Sequence, residues 1–164
     1  YFTSFIQKWV DLMDAVAKIL VIDDDTPIRE TLSLALETAG FKVDSAKNGQ
    51  EAIAKSNENF YNLAIVDWRL PDIEGTKLLG ELKETTPRMA KILLTGFPSL
   101  NNTIDAVNNS ADAFLVKPVK LEALVSKIKE LLEKQKDEKD YSENRMTNYL
   151  ETRVKMLTKQ DKGR

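Results

Sequence analysis

The chain has 164 residues, 42% of them hydrophobic and 30% charged, with a formal net charge of −2. These are the proportions of one globular domain with residues to spare, and they offer no basic footprint for nucleic acid. Cysteine and histidine are both absent, which excludes disulfides, thiolate or imidazole metal sites, Ser-His-Asp or Cys-His catalysis and a phosphohistidine.

Residues 1–17 come first. Phe2, Phe5, Ile6, Trp9, Val10, Met13 and Val16 lie near one face of a helix, while Lys8, Asp11 and Asp14 interrupt the stretch. The pattern predicts an amphipathic extension, native or added, rather than a signal peptide. Short β-branched runs then recur at residues 19–22, 43–46, 63–66, 92–94 and 113–116, each predicting a strand. Between them the spacing turns helical. Ile28, Leu32, Leu36 and Ala39 form one stripe closed by Gly40, residues 49–59 carry Ala52 and Ile53, and residues 76–85 carry Leu78, Leu79 and Leu82 before Pro87. A polar helix is expected over 101–109, and a last one begins near Lys120 with Leu121, Leu124, Ile128 and Leu131.

Five strands, each followed by a helix through short links, predict an α/β fold: a doubly wound five-stranded parallel sheet with helices on both faces. Ligands of such sheets sit at the carboxyl ends of the strands. Those positions hold Asp23, Asp24 and Asp25 after the first strand, Asp67 after the third, Thr95 after the fourth and Lys117-Pro118 after the fifth. Clustered carboxylates repel one another unless a cation joins them, and a hard divalent ion, most simply Mg²⁺, relieves the repulsion. A phosphate fits the same place, with Lys117 neutralising one oxygen, Thr95 donating to another and a carboxylate attacking phosphorus.

Four motifs carry a resemblance. They are Lys18-Ile19-Leu20-Val21-Ile22-Asp23-Asp24-Asp25, then Asp67-Trp68-Arg69-Leu70-Pro71-Asp72-Ile73-Glu74-Gly75, then Leu94-Thr95-Gly96, and last Phe114-Leu115-Val116-Lys117-Pro118. In this order, each after a predicted strand, they resemble the receiver domains of two-component response regulators. The resemblance covers about residues 18–134. It implies a flavodoxin-like sheet in the order 2-1-3-4-5 and a phosphoacceptor switch rather than an enzyme. Asp67 is then the acceptor, Asp23 and Asp24 hold Mg²⁺ together with Asp67 and the backbone carbonyl of Arg69, Thr95 and Phe114 form a coupled switch pair, and Lys117 precedes a cis peptide bond to Pro118. The implied partners are a sensor histidine kinase or phosphotransfer protein upstream and an unknown protein downstream, with no DNA contact, no membrane and a cytoplasmic location.

Arg69 and Phe97 each lie two residues beyond a site residue, in places that tune the phosphoryl lifetime in this family, and their bulk predicts shielding from water. The fifth strand follows Ser110-Ala111-Asp112 without the glycine often found there. Asp25 or Thr26 is expected to cap the helix that opens at Pro27. Asp23, Asp25 and Thr26 also resemble part of the nucleophile loop of haloacid-dehalogenase-type phosphatases, but Pro27 stands where that loop wants Thr or Val. The remaining alternative is a pseudo-receiver, the same fold acting as a constitutive interaction module.

Residues 135–164 are read as a tail. A polar stretch over 133–144 breaks the apolar seam at Gln135 and Glu138, and Met146, Leu150, Val154 and Leu157 then return at helical spacing. The tail is expected to extend the last helix and to offer a surface for self-association as a homodimer.

Overall fold

In a computed structural model of the chain, residues 16–85, 87–108 and 111–161 are described. The amphipathic stretch expected within residues 1–15 lies outside them.

The elements alternate as predicted. They are β1 (Lys18–Ile22), α1 (Thr26–Thr38), β2 (Lys42–Ala46), α2 (Gly49–Glu58), β3 (Leu63–Asp67), α3 (Gly75–Glu81), β4 (Ala90–Thr95), α4 (Leu100–Asn108), β5 (Ala113–Val116) and α5 (Leu121–Asp161). All strand pairs are parallel, and the sheet order is β2-β1-β3-β4-β5. Side chains of the central strands alternate between two cores, as the period of two in a strand requires. Leu20, Ile22, Ala64, Val66 and Leu93 pack with Ala52, Leu78, Leu79 and Ala106 of α2, α3 and α4. Ile19, Val21, Ile65 and Ile92 pack with Leu36, Leu124 and Ile128 of α1 and α5.

The helix ends follow from local chemistry. Asp25 caps α1, its Oδ1 accepting from the Ile28 amide at 3.1 Å, with Pro27 in the first turn. Asn48 caps α2 by accepting from the Glu51 amide at 2.8 Å. After α1 the chain turns through Gly40, whose φ of 98° is a conformation that favours glycine.

Two elements differ from the prediction, and the last helix extends through the tail as expected. α3 stops at Glu81, short of Thr85, because Leu82 turns extended and remains buried in the core while the Lys83 amide donates to Ser56 Oγ at 3.2 Å. β4 starts at Ala90 rather than Ile92. Its Lys91 is 2% exposed and spans the core to donate from Nζ to the Leu79 carbonyl at 2.6 Å, meeting an orphan acceptor at the end of α3. Burial holds the Lys91 ammonium below its ordinary pKa. The last helix runs unbroken over 41 residues to Asp161. At the expected break Gln135 is buried, donating from Nε2 to the carbonyls of Asn62 at 2.9 Å and Arg88 at 2.6 Å. The seam there turns polar and stays packed.

Candidate functional site

The parallel register assembles the strand ends. Ile22 of β1 lies beside Val66 of β3, so Asp23 and Asp67 follow as neighbours. Asp67 lies beside Leu94 of β4, and Thr95 beside Val116 of β5, which places Lys117 one residue beyond that pair. The Lys117 amide donates to the Thr95 carbonyl at 2.7 Å, and the Lys117–Pro118 bond is cis.

Lys117 reaches back over the strand ends. Its Nζ stands 2.9 Å from Asp67 Oδ1 and 3.2 Å from Asp23 Oδ2. Asp23 is nearly buried, and its other oxygen accepts from the Asp25 amide at 2.9 Å. Its carbonyl is held by Arg29 Nη1 at 2.7 Å. Asp24 is exposed at the rim. One carboxylate oxygen from each of Asp23, Asp24 and Asp67 lies within 4.8 Å of the others.

Asp67 carries the tension of this arrangement. Burial pushes its carboxyl above the ordinary value, the charges of Asp23 and Asp24 add to the rise, and Lys117 opposes it. Burial works against the Lys117 ammonium too, but its hydrogen bond to Asp67 and the charges of Asp67 and Asp23 outweigh that and raise its pKa. The site therefore pairs a firmly protonated lysine with carboxylates crowded closer than one lysine can fully neutralise.

A divalent cation fits this donor set. The donors are all carboxylate oxygens, the preference of a hard ion. Neighbouring ligands of an octahedral Mg²⁺ stand about 3 Å apart and opposite ones about 4.2 Å, so three oxygens within 4.8 Å of one another already converge on the space of one ion and would draw closer around it.

Thr95 is fully buried, and its Oγ1 accepts from the Phe97 amide at 3.1 Å. Phe114, partly buried, packs against the core from β5, two residues of register below Val116. The Arg69 guanidinium stacks 4.5 Å above the exposed Phe97 ring, joining the loop after β3 to the loop after β4. The Arg69 backbone meets Glu74 in an isolated bridge.

Two features were missed in the sequence. Gly75 lies so close to Asp67 that a Cβ there would stand 2.3 Å from the Asp67 carbonyl oxygen. Asp72 reaches from the β3–α3 loop to α2, its carboxylate accepting from the amides of Gly49 at 2.9 Å and Gln50 at 2.8 Å. These backbone hydrogen bonds hold the Asp72 carboxyl below its usual range. No local signal marks it, since its partners lie more than twenty residues upstream.

Known proteins share this arrangement. A family model described as the response regulator receiver domain matches residues 19–129. The phosphate regulon transcriptional regulatory protein PhoB of Pseudomonas aeruginosa is 36% identical over 116 residues, covering 70% of this chain and 51% of that protein. The transcriptional regulatory protein TrcR of Mycobacterium tuberculosis is 30% identical over 115 residues, or 70% of this chain and 45% of that protein. The chain thus spans about half the length of these two relatives. Among solved structures, a CheY-like receiver domain protein from Methanospirillum hungatei is 42% identical with a TM-score of 0.72, covering 75% of this chain and 98% of that one. A response regulator from Burkholderia pseudomallei, solved with a phosphorylated aspartic acid, a calcium ion and citrate, is 31% identical with a TM-score of 0.64, covering 67% and 65%. With its parallel sheet in the order 2-1-3-4-5 and its strand-end acids, the chain belongs to the response regulator receiver domain family.

Proposed function

We propose that this chain is a Mg²⁺-dependent phosphoryl-accepting switch of two-component signalling, with Asp67 as the acceptor. The observation that carries the reading is the placement of Lys117 Nζ between Asp67 and Asp23, beside three carboxylate oxygens within 4.8 Å. Asp23, Asp24 and Asp67 would hold the ion, with the Arg69 carbonyl completing the protein's share. Bound there, Mg²⁺ supplies the charge neutralisation that lets an anionic carboxylate approach an anionic phosphoryl group.

The chain's own residues do the rest. An Asp67 oxygen attacks phosphorus, and the bond from phosphorus to the donor breaks, leaving an aspartyl phosphate and the donor's leaving group. Lys117 is already within reach to pair with a phosphoryl oxygen. Thr95 exchanges its hydrogen bond from the Phe97 amide for one to the phosphate, and Phe114 turns toward the space the hydroxyl leaves. The surface of α4, β5 and α5 then changes its affinity for a partner by the difference in phosphate interactions between the two states. The donor is a histidine kinase or phosphotransfer protein, and the output leaves this chain by protein contact. The relatives above are named transcriptional regulators, and this chain corresponds to the matched half of each. No DNA contact is proposed for it, and among the described residues no helix is long and apolar enough to cross a membrane.

The test is intact mass after incubation with acetyl phosphate and Mg²⁺, beside Asp67→Asn. The expected result is a gain of one phosphoryl group that needs Mg²⁺ and is absent in the variant. A folded protein that gains nothing from acetyl phosphate or from kinase would overturn the reading in favour of a pseudo-receiver.

A further inference from the structure

The segment between β3 and α3, residues 68–74, closes on itself and is pinned to its neighbours. Its base is closed by the Gly75 amide, which donates to the Trp68 carbonyl at 2.8 Å, and by the bridge between Arg69 and Glu74. One flank is held by the Arg69 guanidinium on the Phe97 ring. The tip is held by Asp72, whose two carboxylate oxygens take one amide each, Gly49 at 2.9 Å and Gln50 at 2.8 Å. These residues open α2, where unpaired amides and the positive end of the helix dipole favour a carboxylate. The fit is close as well as polar. Ile73 packs on the core that includes Ala52 of α2, and a Cβ on Gly49 would stand 2.2 Å from Ile73 Cγ2. The helix already has its own cap in Asn48, so what Asp72 adds is the placement of the loop.

We propose that Asp72 is a positioning residue of the metal site: by latching this loop to α2 it fixes where the Arg69 backbone carbonyl is presented to Mg²⁺. The inference rests on the reading of that carbonyl as a ligand. A ligand carried on a loop binds with an apparent affinity scaled by the fraction of time the loop is in place. Without the carboxylate, the tip keeps the non-directional contact of Ile73, and the backbone between Arg69 and Glu74 gains freedom that binding must then remove. The effect of Asp72 therefore falls on how tightly the ion is held. It does not fall on the attacking oxygen or on Lys117, which are placed by β3 and by the link after β5.

The test is a Mg²⁺ titration of the unphosphorylated full-length chain. It is read by the fluorescence of Trp68, next in sequence to Asp67, with Trp9→Phe in every variant. Asp72→Ala should raise the Mg²⁺ dissociation constant about 10-fold, the low end of the loss expected when a group that orients a metal ligand is removed. Its phosphoryl uptake from acetyl phosphate should slow at low Mg²⁺ and return to the parent rate at saturating Mg²⁺. Asn48→Ala is the control, since it removes a cap from the same helix turn without touching the loop. It should lower the urea midpoint by a similar amount and leave the dissociation constant unchanged. An unchanged constant in Asp72→Ala, an equal rise in Asn48→Ala, or a rate that saturating Mg²⁺ does not restore overturns the proposal and leaves Asp67 as the acceptor. A parent chain that binds no Mg²⁺ overturns it together with the reading on which it rests.

Discussion

Replacing Gly75 with alanine tests how closely Asp67 is held. A Cβ at this position would lie 2.3 Å from the Asp67 carbonyl oxygen and 3.0 Å from both Trp68 Cα and Leu93 Cδ1. Ordinary contact begins near 3.4 Å, so the Asp67 peptide has to retreat by about 1 Å. Two of the three obstacles are backbone, which cannot rotate away. Overpacking of this kind costs about 1–3 kcal/mol, and a displacement of about 1 Å in a reacting group lowers a rate on the order of 100-fold. Gly75→Ala should therefore remain folded, lose that stability in urea and take up phosphoryl groups from acetyl phosphate on the order of 100-fold more slowly. Gly80→Ala is the control. It stands in the same helix with nothing within 4 Å of its Cβ, and it should gain up to about 1 kcal/mol from helix propensity with an unchanged rate. Equal phosphorylation rates in the two variants would refute the link between this contact and the placement of Asp67.

Other expectations follow from the same contacts. Gln135→Ala strips donors from the Asn62 and Arg88 carbonyls and should cost about 1–3 kcal/mol in urea unfolding; no loss would show that water replaces the side chain. Asp72→Ala removes a cap shared by two amides of α2 and should cost about 1 kcal/mol at neutral pH. Because the folded pKa of Asp72 is lowered, its contribution is complete above the unfolded value near 3.8 and is lost as pH falls through the lower folded value. The gap between Asp72→Ala and the parent should thus close in acid, and a gap independent of pH would sink this account. Arg69→Ala or Phe97→Ala breaks a stack worth about 0.5–1 kcal/mol and should speed hydrolysis of the aspartyl phosphate about 2- to 5-fold, read by mass against time; decay as slow as in the parent would deny the pair a shielding role.

Much of this fold is legible in the sequence because its strongest signals are local. The run Ile19–Ile22 and the run 63–66 are apolar at every position, and the structure buries them on both faces. Asp25, Pro27 and Gly40 bracket α1 by rules that act within a few residues. The acids and Lys117 could be brought to one edge on paper because parallel strands all end there. What stayed hidden depends on distant partners. Lys91 lies just before the run 92–94 read as a strand, yet it belongs to β4 and its ammonium finds the Leu79 carbonyl twelve residues away. Gln135 reads as the end of a seam, and its amide answers carbonyls 47 and 73 residues upstream. Asp72 falls inside a quoted motif, but its work is done on α2. Polar residues that serve the backbone of another element carry no periodicity of their own.

The Gln135 contacts also anchor α5 to the Asn62 and Arg88 carbonyls of the domain. The 26 residues from 136 to 161 then form a lever about 39 Å long at 1.5 Å per residue. Its pivot sits where the helix leaves the Asn62 and Arg88 carbonyls. A tilt of about 5° at that pivot, within the range of packed helices that shift by 1–2 Å, sweeps the far end through about 3 Å. Any small rearrangement around β5 and the start of α5 would thereby be magnified along a rod toward the tip of the helix.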